Sequence, residues 1–289
     1  MGEGNIVTQV FLPLSLAFIM FALGLALVVA DFKRVVAQPR AILVGVFGQM
    51  AMFPLVGFAL ASLWPMDPAL KVGVMILASC PTGATSNLLT HLAKGDTALA
   101  VSLTAVVSVA SVVTMPFVVG ASIVHFMDAG ARPDISVAQT MTGVFLVTNV
   151  PVALGMAVRR WAPETAARIE RVARHVAAIL FVFIVLGAVY SVRTDIADYF
   201  AQAGLAMLAL NLAVMALAWM LGRASGLARP QRIAVIIECG LQNGTLAIFV
   251  ALTLLGSTAM MVPGGIYSLI MFATAGLFLA LVLKTRAGV

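Results

Sequence analysis

The chain has 289 residues, of which 62% are apolar and only 10% charged, whereas an ordinary soluble domain carries roughly 25% charged residues. A surface facing water cannot be made from so few charges, so a soluble globular protein is excluded and the bilayer is the relevant solvent. The net charge of +6 reads as membrane topology and not as a nucleic-acid footprint, because the basic residues collect in short breaks between apolar runs.

Apolar runs set against polar breaks predict nine transmembrane helices in an all-α, polytopic single domain over 1-289. They lie at about 6-30, 41-64, 70-92, 97-127, 137-158, 175-192, 203-222, 232-255 and 260-283. No basic region precedes the first run, and the first basic residue is Lys33, so this run is expected to stay in the mature protein. The break after the fifth run holds Arg159, Arg160, Glu164, Arg168, Glu170, Arg171 and Arg174, which predicts an amphipathic helix lying on the membrane surface. Assigned alternately to two sides, the breaks leave Lys71, Arg132 and Arg193 on one side and the rest of the 17 basic residues on the other. That asymmetry puts the N-terminus outside and the C-terminus in the cytoplasm. With no targeting segment in view, the expected location is a bacterial inner membrane.

Of the 11 acidic side chains, Glu238 alone falls in the middle of a span. A carboxylate at membrane depth costs at least about 2.5 kcal/mol on insertion scales and is paired, hydrated or bound to a cation. It opens the segment Glu238-Cys239-Gly240-Leu241-Gln242-Asn243-Gly244, which places a carboxylate, two carboxamides and two glycines in an otherwise apolar run. Glycine lets the backbone leave the helix, and the freed carbonyls together with the side-chain oxygens suit a small hard cation. The plainer reading is a polar patch that satisfies itself between packed helices. A second break stands in the third span at Cys80-Pro81-Thr82-Gly83-Ala84-Thr85-Ser86-Asn87, where proline removes a donor and Ser86 and Asn87 open a new half-helix.

The third and eighth spans are each preceded by two unbroken spans and followed by one more. Interrupted helices in matching positions of two oppositely oriented repeats are the pattern of an inverted-repeat transporter. The positive ends of two half-helices would then meet in one cavity and favour an anionic group beside the cation.

On Pro81 to Asn87, on Glu238-x-Gly240-x-Gln242-Asn243, and on Met20-Phe21-Ala22-Leu23-Gly24-Leu25, the chain resembles the bile acid:sodium symporter family over almost its whole length. The resemblance implies a core of two crossed, broken helices (about 41-127 and 232-283) on a flatter panel (about 6-30, 137-158, 175-192 and 203-222). It also implies sodium-driven import of an organic anion. A first sodium site would fall on Ser86, Asn87, Thr104 and Glu238, with Ala100 where a serine ligand is usual; Ser102, two residues on, faces elsewhere on a helix. A second site would fall on Gln49, Glu238 and Gln242 with the carbonyls of Cys239 and Leu241. Bile-acid-transporting relatives carry a His-Asn pair where this chain has Met271-Phe272, and a threonine where it has Ala84, so a smaller carboxylate competes with a bile-acid-like substrate.

The function expected is alternating-access import of an organic anion coupled to one or two sodium ions, with Asn243, Thr82 and Thr85 contacting substrate. The alternative is a proton-coupled carrier in which Glu238 is the protonation site. An intramembrane enzyme is disfavoured, since the spans hold no paired acids and no Ser-His arrangement at a common depth. A passive channel or sensory module would differ in not concentrating substrate. Asn149 and Asn211 are read as packing residues. His91, His125 and His175 share no ligand spacing, so no metal beyond sodium is expected. The expected partners are the small anion and the lipid bilayer, with no obligatory protein partner.

Overall fold

The computed structural model describes residues 6-28, 30, 38-83, 85-133 and 136-287; Lys33 and Ala84, named above, lie outside them. Among the described residues every regular element is helical. In chain order these are α1 (Leu12–Ala26), then α2 (Pro39–Phe47) and α3 (Phe53–Leu63) joined by a π-helical turn at Gly48–Met52. There follow α4 (Pro68–Ser79), α5 (Thr85–Leu92), α6 (Thr97–Phe126), and α7 (Val137–Val144) joined to α8 (Val150–Trp161) through a second π-helical turn at Phe145–Asn149. The rest are α9 (Pro163–Ser191), α10 (Ile196–Ala224), α11 (Arg229–Gly240), α12 (Gly244–Phe249), which continues into a π-helical turn at Val250–Leu254, and α13 (Thr258–Ala287).

Local signals set the helix ends. Proline occupies the first turn of α4, α9 and α11, where the missing N–H would have had no partner in the helix. Side-chain oxygens of Asp67, Asp96, Ser136 and Asn243 accept from the backbone N–H of Ala69, Leu99, Gln139 and Leu246 and so cap α4, α6, α7 and α12, each cap contributing about 1 kcal/mol.

Seven stretches among the described residues are long and apolar enough to cross a membrane: Gln9–Ala26, Pro39–Leu63, Thr97–Phe126, Ala138–Trp161, Pro163–Ser191, Ile196–Ala224 and Thr258–Lys284. The predicted third and eighth spans are pairs of short helices instead, α4 with α5 and α11 with α12. Large apolar side chains such as Leu43, Leu55, Phe117, Phe183 and Leu277 stand exposed on the outer faces, which water would penalise and lipid does not.

α1 packs on α8 and α9, which also pack on each other, and Ala22, Leu25, Ala166 and Ala173 form a small core of their own there. α4 packs against α3, α6 and α13, while α11 lies against α6, α5 and α10. The span near 203-222, expected among panel helices that partly flank the core, belongs to α10, whose main partners are α11, α13 and α3. One expectation needs correction. The basic stretch after Trp161 is no separate surface helix. It is the first half of α9, which runs unbroken for 29 residues. At 1.5 Å per residue such a helix is about 43 Å long, more than the roughly 30 Å hydrocarbon thickness, so no turn is needed to carry its basic end into the polar layer. Arg174 pairs there with Glu170, one turn back on the same helix.

Candidate functional site

α4 ends at Cys80 because Pro81 disfavours helical geometry in the residue before it and has no N–H to give. Its φ of −68° and ψ of 150° carry the chain into an extended stretch. α11 ends likewise at Leu241, with φ −106° and ψ 119°. The two stretches meet: Thr82 and Gln242 form an isolated antiparallel bridge, and the Asn243 N–H donates to the Pro81 carbonyl at 2.9 Å. The strand-like pairing satisfies backbone groups that both helices gave up. It also makes the two chains run in opposite directions at the crossing. A Cβ on Gly83 would come within 3.2 Å of the Gln242 carbonyl oxygen, a tight contact, so the close approach favours glycine.

Glu238 sits in the last turn of α11, fully buried. The side chains bearing on it are Ser86, Thr104, Thr82 and Gln49. The Thr104 hydroxyl donates to its Oε2 at 2.9 Å. Thr82 Oγ1 lies 2.6 Å from Gln49 Oε1 and 2.9 Å from the Glu238 carbonyl oxygen, yet has one proton for two acceptors. Gln49 Nε2 meanwhile has no partner. Turning the carboxamide over, which leaves its shape unchanged, resolves both problems. Nε2 then donates to Thr82, Thr82 donates to the Glu238 carbonyl, and Gln49 Oε1 becomes free. Gln49 reaches this place from the π-helical turn of the second span, whose neighbour Gly48 would carry a Cβ only 2.8 Å from Cys239 Sγ.

The remaining predicted residues are distributed as follows. Ser86 and Asn87 open α5, Thr85 precedes them half-buried, and Gln242 donates through Nε2 to the Cys239 carbonyl at 3.2 Å. Cys239 and Leu241 are fully buried. Asn243 caps α12 through Oδ1, and its Nδ2 faces Met20 Sδ on α1 at 3.9 Å. Thr82, expected at the substrate, is held inside the Gln49–Glu238 network. Ser102 donates to the Ala98 carbonyl on its own helix at 2.8 Å.

Four buried oxygens at the crossing have no hydrogen-bond partner: Glu238 Oε1, Gln242 Oε1, Ser86 Oγ and Asn87 Oδ1. An unmet acceptor in a protein interior costs about 1–3 kcal/mol, so four on two facing segments call for a shared ligand. The Glu238 carboxylate gives its sign: the carbonyl ends of α4 and α11 add to its negative charge, the N-termini of α5 and α12 oppose it, and the ion pair among the described residues lies elsewhere, on α9. Carboxylate, carboxamide and hydroxyl oxygens with a negative field fit a small hard cation.

Two features escaped the sequence reading. Tyr267 on α13 and Asn211 on α10 converge on one carbonyl: Asn211 Nδ2 lies 2.8 Å from the Gly240 oxygen and 2.9 Å from the Tyr267 hydroxyl, which donates to the same oxygen at 3.0 Å. The sign was a tyrosine in the middle of an apolar run. Beside the crossing is a cavity of about 450 Å³ between α1, α6 and the α7–α8 span, lined by Leu23, Leu27, Ser108, Phe145, Asn149 and Met156 among others. Ser108 stands one turn beyond Thr104 on α6, which puts the cavity next to the cage.

Comparison with known proteins gives the chain a family. The family model described as Sodium Bile acid symporter family matches residues 13–199. The chain is 28% identical over 262 residues to a Bacillus subtilis protein named as an uncharacterized sodium-dependent transporter, covering 89% of this chain and 78% of that one. It is 30% identical over 242 residues to the human ileal sodium/bile acid cotransporter, covering 83% and 68%. A rice chloroplast protein named as a probable sodium/metabolite cotransporter is 25% identical over 271 residues, 94% of this chain but 63% of the relative's length.

Proposed function

Since this chain belongs to the sodium bile acid symporter family, whose members compared here are named as transporters and not as enzymes, we propose that it imports an organic anion coupled to sodium by alternating access. The observation that carries the proposal is the set of unpartnered oxygens Glu238 Oε1, Gln242 Oε1, Ser86 Oγ and Asn87 Oδ1. A proton on Glu238 would satisfy one or two of them, whereas a cation satisfies several at once. Gln49 and Thr104 complete the cage, with the Cys239 and Leu241 carbonyls. One ion fits the Gln49–Glu238–Gln242 side; a second, on Ser86, Asn87, Thr104 and Glu238, lacks the oxygen that a side chain at Ala100 would supply.

Counting α4–α5 and α11–α12 as one crossing each gives nine crossings, and the antiparallel Thr82–Gln242 bridge supports two inverted repeats. The N-terminus is then outside and the C-terminus in the cytoplasm of a bacterial inner membrane. The substrate carboxylate meets Asn243 and Thr85 at the starts of α12 and α5, where helix N-termini favour an anion. Its body extends toward the apolar cavity beside α1, which suits a carboxylate with hydrocarbon bulk. Sodium closes the crossing, substrate binds beside it, and the broken helices move against α1, α8 and α9.

The test is the melting temperature of the purified protein titrated with sodium against potassium, for the native chain and Glu238→Gln, followed by uptake of labelled carboxylates into proteoliposomes. Sodium-specific stabilisation that the substitution removes supports the cage. Stabilisation by acid alone, in sodium-free buffer, would put proton coupling in its place.

A further inference from the structure

Many hydroxyls on the helices of this protein share one habit. Ser62, Ser102, Thr104, Thr114, Ser122, Thr142, Thr148 and Ser268 each lie within hydrogen-bond reach of the carbonyl four residues back, as isolated hydroxyls in apolar helices do. Thr90 on α5 breaks the habit. It is completely buried, has the Ser86 carbonyl available one turn back, and yet its Oγ1 has no partner. Ser86, at the start of the same helix, is also buried with an unpartnered hydroxyl and bears on Glu238.

Residues four apart share a helix face, so Ser86 and Thr90 form a line of two free hydroxyls. It leads from Glu238 along the contact between α5 and α11. The line ends under the turn that joins α5 to α6. There the Gly95 N–H donates to the Thr90 carbonyl at 2.8 Å, and the Asp96 N–H donates to the Pro230 carbonyl at 2.9 Å. A Cβ on Gly95 would stand 2.9 Å from both Thr90 Cγ2 and Ile233 Cγ2, so the turn presses directly on Thr90. Beside Gln49 there is a small gap in the packing. A crevice lined by Gln49, Ser79, Ser111 and Thr114 has a volume of about 10 Å³, close to room for one water.

We propose that Thr90 is a transient oxygen ligand on the route by which the cation leaves Glu238, passed from Ser86 and released when the 93–96 turn lifts from α11. The inference rests on the sodium reading of the cage. It assigns the two flanks different work: hydrated access beside Gln49, and a dry exit closed by the turn over Thr90. A threonine kept for packing alone would back-bond to its own helix. A hydroxyl left free in the interior has a cost of its own, which a passing cation offsets.

The experiment compares the native protein with Thr90→Val, which keeps the shape, and Thr90→Ser, which keeps the oxygen, in sodium-loaded proteoliposomes. Radioactive sodium exchange reads the route, and sodium titration of the melting temperature reads the cage. Thr90→Val is expected to exchange sodium about ten-fold more slowly, equivalent to about 1.4 kcal/mol on the barrier, with an unchanged sodium titration. Thr90→Ser should exchange at the native rate. Thr90→Ala gives the same reading should the valine variant not fold. Native exchange in the valine or alanine variant overturns the route, and so does equal slowing in the serine variant. A weakened sodium titration in Thr90→Val would make Thr90 part of the cage and overturn it as well. Absence of any sodium response in the native protein would remove the sodium reading itself, and this inference with it.

Discussion

The Thr104 hydroxyl is shared between the Glu238 carboxylate at 2.9 Å and the Ala100 carbonyl at 3.0 Å. It therefore has two resting orientations. In one it donates to the carboxylate; in the other, which the proposed cation at Glu238 would favour, it donates back to Ala100 and turns a lone pair toward the ion. Thr104→Val removes this exchange and is expected to raise the sodium concentration for half-maximal stabilisation by about ten-fold, since hydrogen bonds to charged groups contribute about 1.5–3 kcal/mol. Thr104→Ser should titrate like the native chain. A valine variant with native sodium dependence would place the ion away from Thr104.

Ala100 is fully buried on the same face of α6. Ala100→Ser adds a hydroxyl one turn before Thr104, at the place where the proposed first site lacks an oxygen. The expected outcome is steeper sodium dependence of transport, with the Hill coefficient rising, as a second ion gains a ligand. An unchanged coefficient would mean either that both ions already bind or that the first site is not used.

Asn243 joins two tasks, capping α12 and facing α1. Asn243→Ala loses the cap and is expected to lower stability by about 1 kcal/mol and to weaken substrate uptake. Asn243→Asp keeps the cap and sets a negative charge where the substrate carboxylate is proposed to lie. Its melting temperature in potassium should stay near native while uptake falls further than in the alanine variant. Undiminished uptake by Asn243→Asp would move the substrate away from this helix start.

Tyr267→Phe removes one of the donors from the Gly240 carbonyl and leaves Asn211 in place. A loss of about 0.5–1.5 kcal/mol is expected. Asn211→Leu leaves the tyrosine alone on that carbonyl and should cost more, because Asn211 also bonds to the tyrosine hydroxyl. Thermal unfolding in potassium, where no sodium masks the change, reads both.

How much of this was legible follows from what each residue needed. Glu238 and the two breaks were visible because a carboxylate, or proline with glycine, is costly inside an apolar run. The grouping of Thr104 and Ser86 with the carboxylate entered through family likeness, since hydroxyls are common in membrane helices. That Thr82 would be drawn into the Gln49 network was hidden by the three-dimensional crossing. Thr90 was invisible because its distinction is a side-chain orientation, and a one-letter sequence does not say which threonines back-bond. The placement of α10 among the broken helices depended on packing faces that are apolar on every side. The surface helix failed for a simpler reason: hydropathy marks where charge begins, and a helix can pass that boundary without bending.

One contact between the moving parts is the Asn243 carboxamide against Met20 Sδ at 3.9 Å. Thioether sulfur is a weak acceptor on a flexible, polarizable side chain, so the amide loses little when the pair separates. The seam at this point is a lubricated bearing and not a latch. Under the proposed alternating access, resistance to the stroke would come from elsewhere, and ions and substrate at the crossing would be free to decide which way the protein faces.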